Sequence, residues 1–241
     1  MNDRNPIIVA LDLPSADEAL TLARALAPVV GGFKIGSELF TYAGPDVVRQ
    51  IRSTGASVFL DLKFHDIPNT VAKSVVAAVQ LDVQMLTVHA SGGKAMLEAA
   101  EKAALATAKI LGRAAPLVLA VTVLTSLDSN ELSQVGLPAN VGHQVERLAK
   151  LAAASGLRGL VCSPLEIAGL RQIIPSSMAL VTPGIRGAGS LPDDQKRTLS
   201  AGEAISAGAD WLVIGRPICA APDPVKAAQN ILQSLRNQPT S

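Results

Sequence analysis

Aromatic residues are nearly absent from this sequence: phenylalanine, tyrosine and tryptophan together make up 2% of its 241 residues. A large core must then be built from Ala, Val, Leu and Ile. Such a composition suits parallel strands buried on both faces, with helices packed closely on them. Cysteine is scarce too. Cys162 and Cys219 show neither a C-x-x-C spacing nor a neighbouring histidine cluster, and read as reduced thiols in a cytosolic protein. No His/Cys/Asp spacing points to zinc. No apolar run reaches the roughly 18 residues of a membrane span, and no apolar signal core stands in Met-Asn-Asp-Arg-Asn-Pro at residues 1–6. Charge is thin and balanced: Asp, Glu, Lys and Arg make up 17% of the chain and sum to +1. That balance argues against a broad nucleic-acid or membrane footprint, though not against one local basic pocket. A soluble, cytoplasmic protein is expected.

What the chain does have is apolar sequence in short runs, with hydrophobic residues at 49% overall. Eight runs read as strands: Ile7–Asp12, Gly32–Gly36, Val58–Lys63, Met85–His89, Leu117–Leu124, Gly159–Cys162, Ala179–Thr182 and Trp211–Gly215. Most are continuous in Val, Ile and Leu, the mark of strands buried on both sides. Helical patterns fill the gaps. Ser15 with Glu18, Ser163 with Glu166 and Ser200 with Glu203 each fit a capping box. Asp223-Pro224 places an N-cap before a proline at the first helical position, and Val225, Ala228, Ile231, Leu232 and Leu235 then share one face. Gly55, Gly156 and Gly208 suit the residue just past a helix end. Eight βα units without a linker predict an α/β fold, a (β/α)8 TIM barrel forming a single domain over residues 1–241. An open doubly wound sheet is the alternative, weakened because Leu11-Asp12-Leu13-Pro14 follows the first strand where G-x-G-x-x-G would stand.

The active site of such a barrel sits at the C-terminal ends of its strands. The polar residues placed there are Asp12, Lys34, Asp61, Lys63, His89, Thr125, Ser163, Arg186 and Arg216. The densest group is Asp61-Leu62-Lys63-Phe64-His65-Asp66-Ile67-Pro68-Asn69-Thr70. Period-2 alternation puts Asp61 and Lys63 on one side of the strand and Leu62 on the other. A solvated surface ion pair, worth about 0–1 kcal/mol, is the bland alternative. It fits poorly with residues leaving a buried strand. His89 reads as a hydrogen-bonded structural histidine, and His65 and His143 as orienting or solvated residues.

Asp-x-Lys-x-x-Asp at the end of the third strand resembles the signature of the orotidine 5′-monophosphate decarboxylase suprafamily, and the extended form through Thr70 looks like its bacterial decarboxylase branch. The resemblance continues through Asp12, Phe33-Lys34-Ile35-Gly36, Val121–Ser126, Thr182-Pro183-Gly184-Ile185-Arg186 and Val213-Ile214-Gly215-Arg216-Pro217. It implies conversion of orotidine 5′-monophosphate to UMP and CO2, the last step of pyrimidine nucleotide synthesis, with no cofactor and no metal. The competitor is a Mg²⁺-dependent sugar-phosphate decarboxylase or aldolase of the same suprafamily, which carries Glu where this chain has Lys34. A non-catalytic phosphate-ligand barrel is a third reading, and it leaves the lysine–aspartate cluster unexplained.

The resemblance also assigns roles. Lys63, held by Asp61 and Asp66, is the electrostatic stabiliser and proton donor, with Lys34 completing the catalytic set. Asp61 lies beside the substrate carboxylate, Asp12 and Lys34 bind ribose hydroxyls, and Thr125 lies against the pyrimidine. Asp66 and Thr70 reach the site of a neighbouring subunit, which implies a homodimer with shared sites. Arg186, Gly215 and Arg216, in the loops after strands seven and eight, form the phosphate site. Gln195, in the glycine-bearing stretch 187–195, reaches from a lid to the phosphate and the base.

Overall fold

A computed structural model describes residues 5–185 and 198–236. Eight parallel strands close into a barrel in sequence order, β1 (Ile7–Ala10), β2 (Gly32–Gly36), β3 (Ser57–Phe64), β4 (Met85–His89), β5 (Leu117–Val121), β6 (Gly159–Val161), β7 (Ala179–Thr182) and β8 (Trp211–Ile214). The circle is closed by β1 against β8, with Ile8 opposite Val213. The predicted TIM barrel is the observed fold. Four strands are shorter than their apolar runs, β6 and β8 by one residue each. β1 stops at Ala10 and β5 at Val121, so Asp12 and Thr125 stand on the loops above. One more backbone bond follows each end, from the Leu11 N–H to the Lys34 carbonyl and from the Thr122 N–H to the Val161 carbonyl, before the chain leaves its neighbours, a departure that hydrophobicity alone does not mark.

Alternation along each strand sorts the apolar residues into two cores. Ile8, Ala10, Phe59, Met85, Leu119, Val181, Trp211 and Val213 fill the barrel interior. Their neighbours, such as Ile7, Val9, Leu60, Leu86, Val88 and Leu212, face outward against the helices in a second, larger core. Phe59 and Trp211 thus place two of the few aromatics at the axis, where burial of a large side chain contributes about 1.5–3 kcal/mol. Gly159 makes room for this packing: a Cβ there would stand 2.5 Å from the Leu119 Cδ2 atom.

Several helices start where capping chemistry places them. Full capping boxes form at Ser163 with Glu166 and at Ser200 with Glu203. Ser15 accepts only from the Glu18 backbone N–H, at 3.4 Å. Asp223 accepts from the Lys226 N–H at 2.9 Å, ahead of the helix Pro224–Arg236, which packs Val225, Ala228, Ile231, Leu232 and Leu235 on the outer core. Gly55, Gly156 and Gly208 all adopt positive φ at helix ends. At the N-terminal ends of the strands, ion pairs of Arg52 with Asp82, Arg158 with Glu101 and Arg171 with Asp210 tie helices to the barrel. The opposite end is left for the site.

Candidate active site

A cavity of about 740 Å³ opens at the C-terminal ends of the strands, and Asp12, Lys34, Asp61, Lys63, Thr125, Gly215 and Arg216 all line it. These residues come from the ends of β1, β2, β3, β5 and β8, so only the closed barrel brings them together. Arg186 and Gln195 lie outside the described residues.

Two lysine–aspartate pairs organise the cavity. The Lys63 Nζ donates to both Asp61 oxygens at 2.9 Å. The Lys34 Nζ meets the Asp12 Oδ1 at 2.7 Å. Gly36 makes room for this second pair: an added Cβ would lie 2.9 Å from the Lys34 Nζ and 3.3 Å from the Asp12 Oδ1. Beneath the pair the Cys219 Sγ donates to the Ala10 carbonyl at 3.3 Å. Burial, and then the Asp12 charge, push that thiol up to about 11, with Lys34 opposing. Cys219 thus stands in the cavity wall with its sulfur held toward the neutral thiol form. Cys162 also lines the cavity.

Regular alternation does not account for the Asp61–Lys63 pair. Leu60 pairs with Leu86 and Phe64 with Val88, so Asp61, Leu62 and Lys63 stand against the single residue Thr87. Lys63 takes up the excess length in a left-handed conformation, φ 51°, which costs a non-glycine residue about 1–2 kcal/mol. The bulge turns the Lys63 side chain over the Asp61 carboxylate, while Leu62 still packs outward on the helix-facing core. Asp61 and Lys63 meet, and the geometry that joins them is a bulge rather than a flat strand.

Thr87 was hidden in the sequence as one more β-branched residue of a buried strand. It is fully buried, accepts from the Lys63 backbone N–H at 2.8 Å and donates to the Asp61 Oδ1 at 2.9 Å. Only the register shift between β3 and β4 reveals this position.

Asp66 and Thr70 are exposed and absent from the cavity lining. The Asp66 Oδ1 accepts from the Ile67 N–H at 2.6 Å, and among the described residues Asp66 makes no ion pair with Lys63. Among the described residues of one chain, therefore, Asp61 is the carboxylate that holds the ammonium. Ile67, between them, is 66% exposed. His65 and His89 face one another with ring centroids 5.4 Å apart and planes tilted by 40°. Burial is the main cause that lowers the His89 imidazole from its ordinary value, followed by the charges of His65 and Lys63, while Asp61 acts in the opposite sense. Among the described residues no cluster of three or more His, Cys, Asp or Glu side chains could hold a metal ion, and no helix is long and apolar enough to cross a membrane.

Known proteins resemble this one over almost its whole length. The chain is 52% identical over 236 residues to the orotidine 5′-phosphate decarboxylase of Moorella thermoacetica, covering 98% of this chain and 94% of that protein. It is 50% identical over 231 residues to the orotidine 5′-phosphate decarboxylase of Opitutus terrae, covering 96% and 98%. The crystal structure of orotidine 5′-phosphate decarboxylase from Lactobacillus acidophilus superposes with a TM-score of 0.85 at 38% identity, over 96% of this chain and 99% of that one. A family profile described as orotidine 5′-phosphate decarboxylase / HUMPS matches residues 5–231. This chain belongs to that orotidine 5′-phosphate decarboxylase / HUMPS family.

Proposed function

We propose that the protein decarboxylates orotidine 5′-monophosphate to UMP and CO2, closing de novo pyrimidine nucleotide synthesis, and that it does so without metal or cofactor. The observation that carries the reading is the Lys63 ammonium, held by Asp61 in the same cavity as a second ammonium, Lys34. The metal-dependent branch named above would need a carboxylate at position 34. Here that position supplies fixed positive charge instead. Its relatives' activity and the full-length match support the same substrate.

The chemistry follows from charge. When the bond from C6 to the carboxylate breaks, its electron pair stays on C6 in the plane of the ring, where the π system delocalises it poorly. A cation beside C6 stabilises that pair. Two opposite charges 4 Å apart attract by about 4 kcal/mol at an effective dielectric of 20. The Lys63 Nζ then transfers a proton to C6, giving the C6–H bond of UMP, and the neutral amine regains its proton from water. Asp61 orients Lys63 and stands by the departing carboxylate. Asp12 and Lys34 take the ribose hydroxyls and Thr125 the base, while Gly215, Arg216, Arg186 and Gln195 take the phosphate end. Exposure of Asp66, Ile67 and Thr70 on one turn fits their delivery to a partner's site in a homodimer. A cytoplasmic location accords with this substrate.

Steady-state kinetics on two variants test the assignment. Lys63→Ala should lose nearly all turnover, because stabiliser and proton donor vanish together. Arg216→Ala should mainly raise KM. Substantial turnover by Lys63→Ala would overturn the mechanism.

A further inference from the structure

The bulge in β3 leaves the Lys63 backbone N–H without the strand carbonyl that a regular ladder would offer. That donor goes to the Thr87 Oγ1 instead, at 2.8 Å. An N–H can only donate, so the hydroxyl accepts there and has its own proton free for the Asp61 Oδ1 at 2.9 Å. The same Oδ1 receives the Lys63 Nζ at 2.9 Å. One hydroxyl therefore fixes the backbone of Lys63 and the carboxylate that aims its side chain. Thr87 is 0% exposed and does not line the cavity, so it reaches substrate only through those two residues. The residues two positions before Asp61 and Thr87 on the inward faces of β3 and β4, Phe59 and Met85, are apolar and offer no such bonds.

We infer that Thr87 is a positioning residue whose hydroxyl sets the geometry of the Asp61–Lys63 pair at the reacting carbon. The kinetic part of this inference rests on the proposed decarboxylation. Valine has the same shape without the hydroxyl, and it strands a buried N–H while freeing the carboxylate to rotate. Serine keeps both bonds.

The experiment measures kcat and KM of wild type, Thr87→Val and Thr87→Ser with orotidine 5′-monophosphate. In parallel, hydrogen exchange at the Lys63 amide is followed by NMR. Thr87→Val should lower kcat by about ten- to a hundredfold, the effect of one stranded buried partner. KM should stay within about threefold because the phosphate contacts are untouched. Thr87→Ser should retain kcat within about threefold and keep the Lys63 amide protected, whereas valine should expose it to exchange. A general loss of stability would not produce this kcat–KM split in folded enzyme or its rescue by serine. Equal kcat in wild type and Thr87→Val, or equal losses in the two variants, would overturn the inference. If wild type itself fails to turn over, the proposed function falls and amide exchange alone decides the positioning role, with unchanged protection in Thr87→Val refuting it. If Thr87→Val does not fold, Thr87→Cys, similar in size with a far weaker donor, takes its place.

Discussion

Substituting Gly36 by alanine should impair catalysis while leaving the fold intact. Gly36 has φ −91° and ψ −179°, an extended backbone that alanine adopts without strain. The added Cβ would stand 2.9 Å from the Lys34 Nζ, against about 3.5–4.0 Å for relaxed contact between heavy atoms. The ammonium must therefore retreat by roughly 0.5–1 Å. It lies at the end of a flexible four-carbon stem, so the side chain moves and the barrel does not. A retreat along its bond to Asp12, 2.7 Å long, lengthens that bond to roughly 3.2–3.7 Å and weakens it. A hydrogen bond between charged groups contributes about 1.5–3 kcal/mol, and the 55% exposure of the Asp12 side chain argues for the lower end. If the pair holds the ribose, kcat/KM should drop by about five- to thirtyfold. Steady-state kinetics and a thermal melt of Gly36→Ala check this. A variant that melts like wild type and keeps kcat/KM would refute the role of the Asp12–Lys34 pair, and one that fails to fold would refute the argument that only a side chain must move.

Two further outcomes follow. Mixing Lys63→Ala with Asp66→Ala subunits, with exchange verified by refolding them together, should restore about a quarter of the sites, since a closed two-fold dimer with shared sites regenerates one intact site per mixed dimer. No recovery from proven mixed dimers would leave Asp66 acting elsewhere. The second concerns pH. His89 is held below its ordinary value of 6.5, chiefly by burial, so on acidification the unfolded chain binds this proton before the native one does. Its contribution to stability is therefore constant above pH 6.5 and declines below it. His89→Gln should flatten the dependence of the melting temperature on pH below 6.5, and an unchanged slope would count against a neutral, half-buried His89.

The sequence disclosed most of the fold because parallel strands buried on both faces are written as unbroken apolar runs. Gly32–Gly36, Met85–His89 and Ala179–Thr182 matched to the residue. Asp128 and Glu131 also form a full capping box, with the carboxylate of Asp128 replacing the hydroxyl in the pattern sought. The lysines and aspartates that line the cavity were legible for a related reason: charge is rare in this chain, so such residues at strand ends stand out. The left-handed turn at Lys63 was not legible. It depends on how many residues β3 and β4 contribute between two paired positions, a relation between segments that no local pattern carries. Thr87 was missed on the same account, since inside Met85–His89 its hydroxyl looks like any β-branched strand residue until the bulge opposite gives it two partners.

Metal independence is tested most directly by turnover of orotidine 5′-monophosphate by the purified protein after exhaustive treatment with EDTA, followed by loss of the orotate absorbance. With Lys34 and Lys63 supplying the positive charge at the site, turnover should equal that of untreated protein and gain nothing from added Mg²⁺. Turnover abolished by the chelator and restored by Mg²⁺ would contradict it and show that the two lysines do not supply the charge the reaction needs.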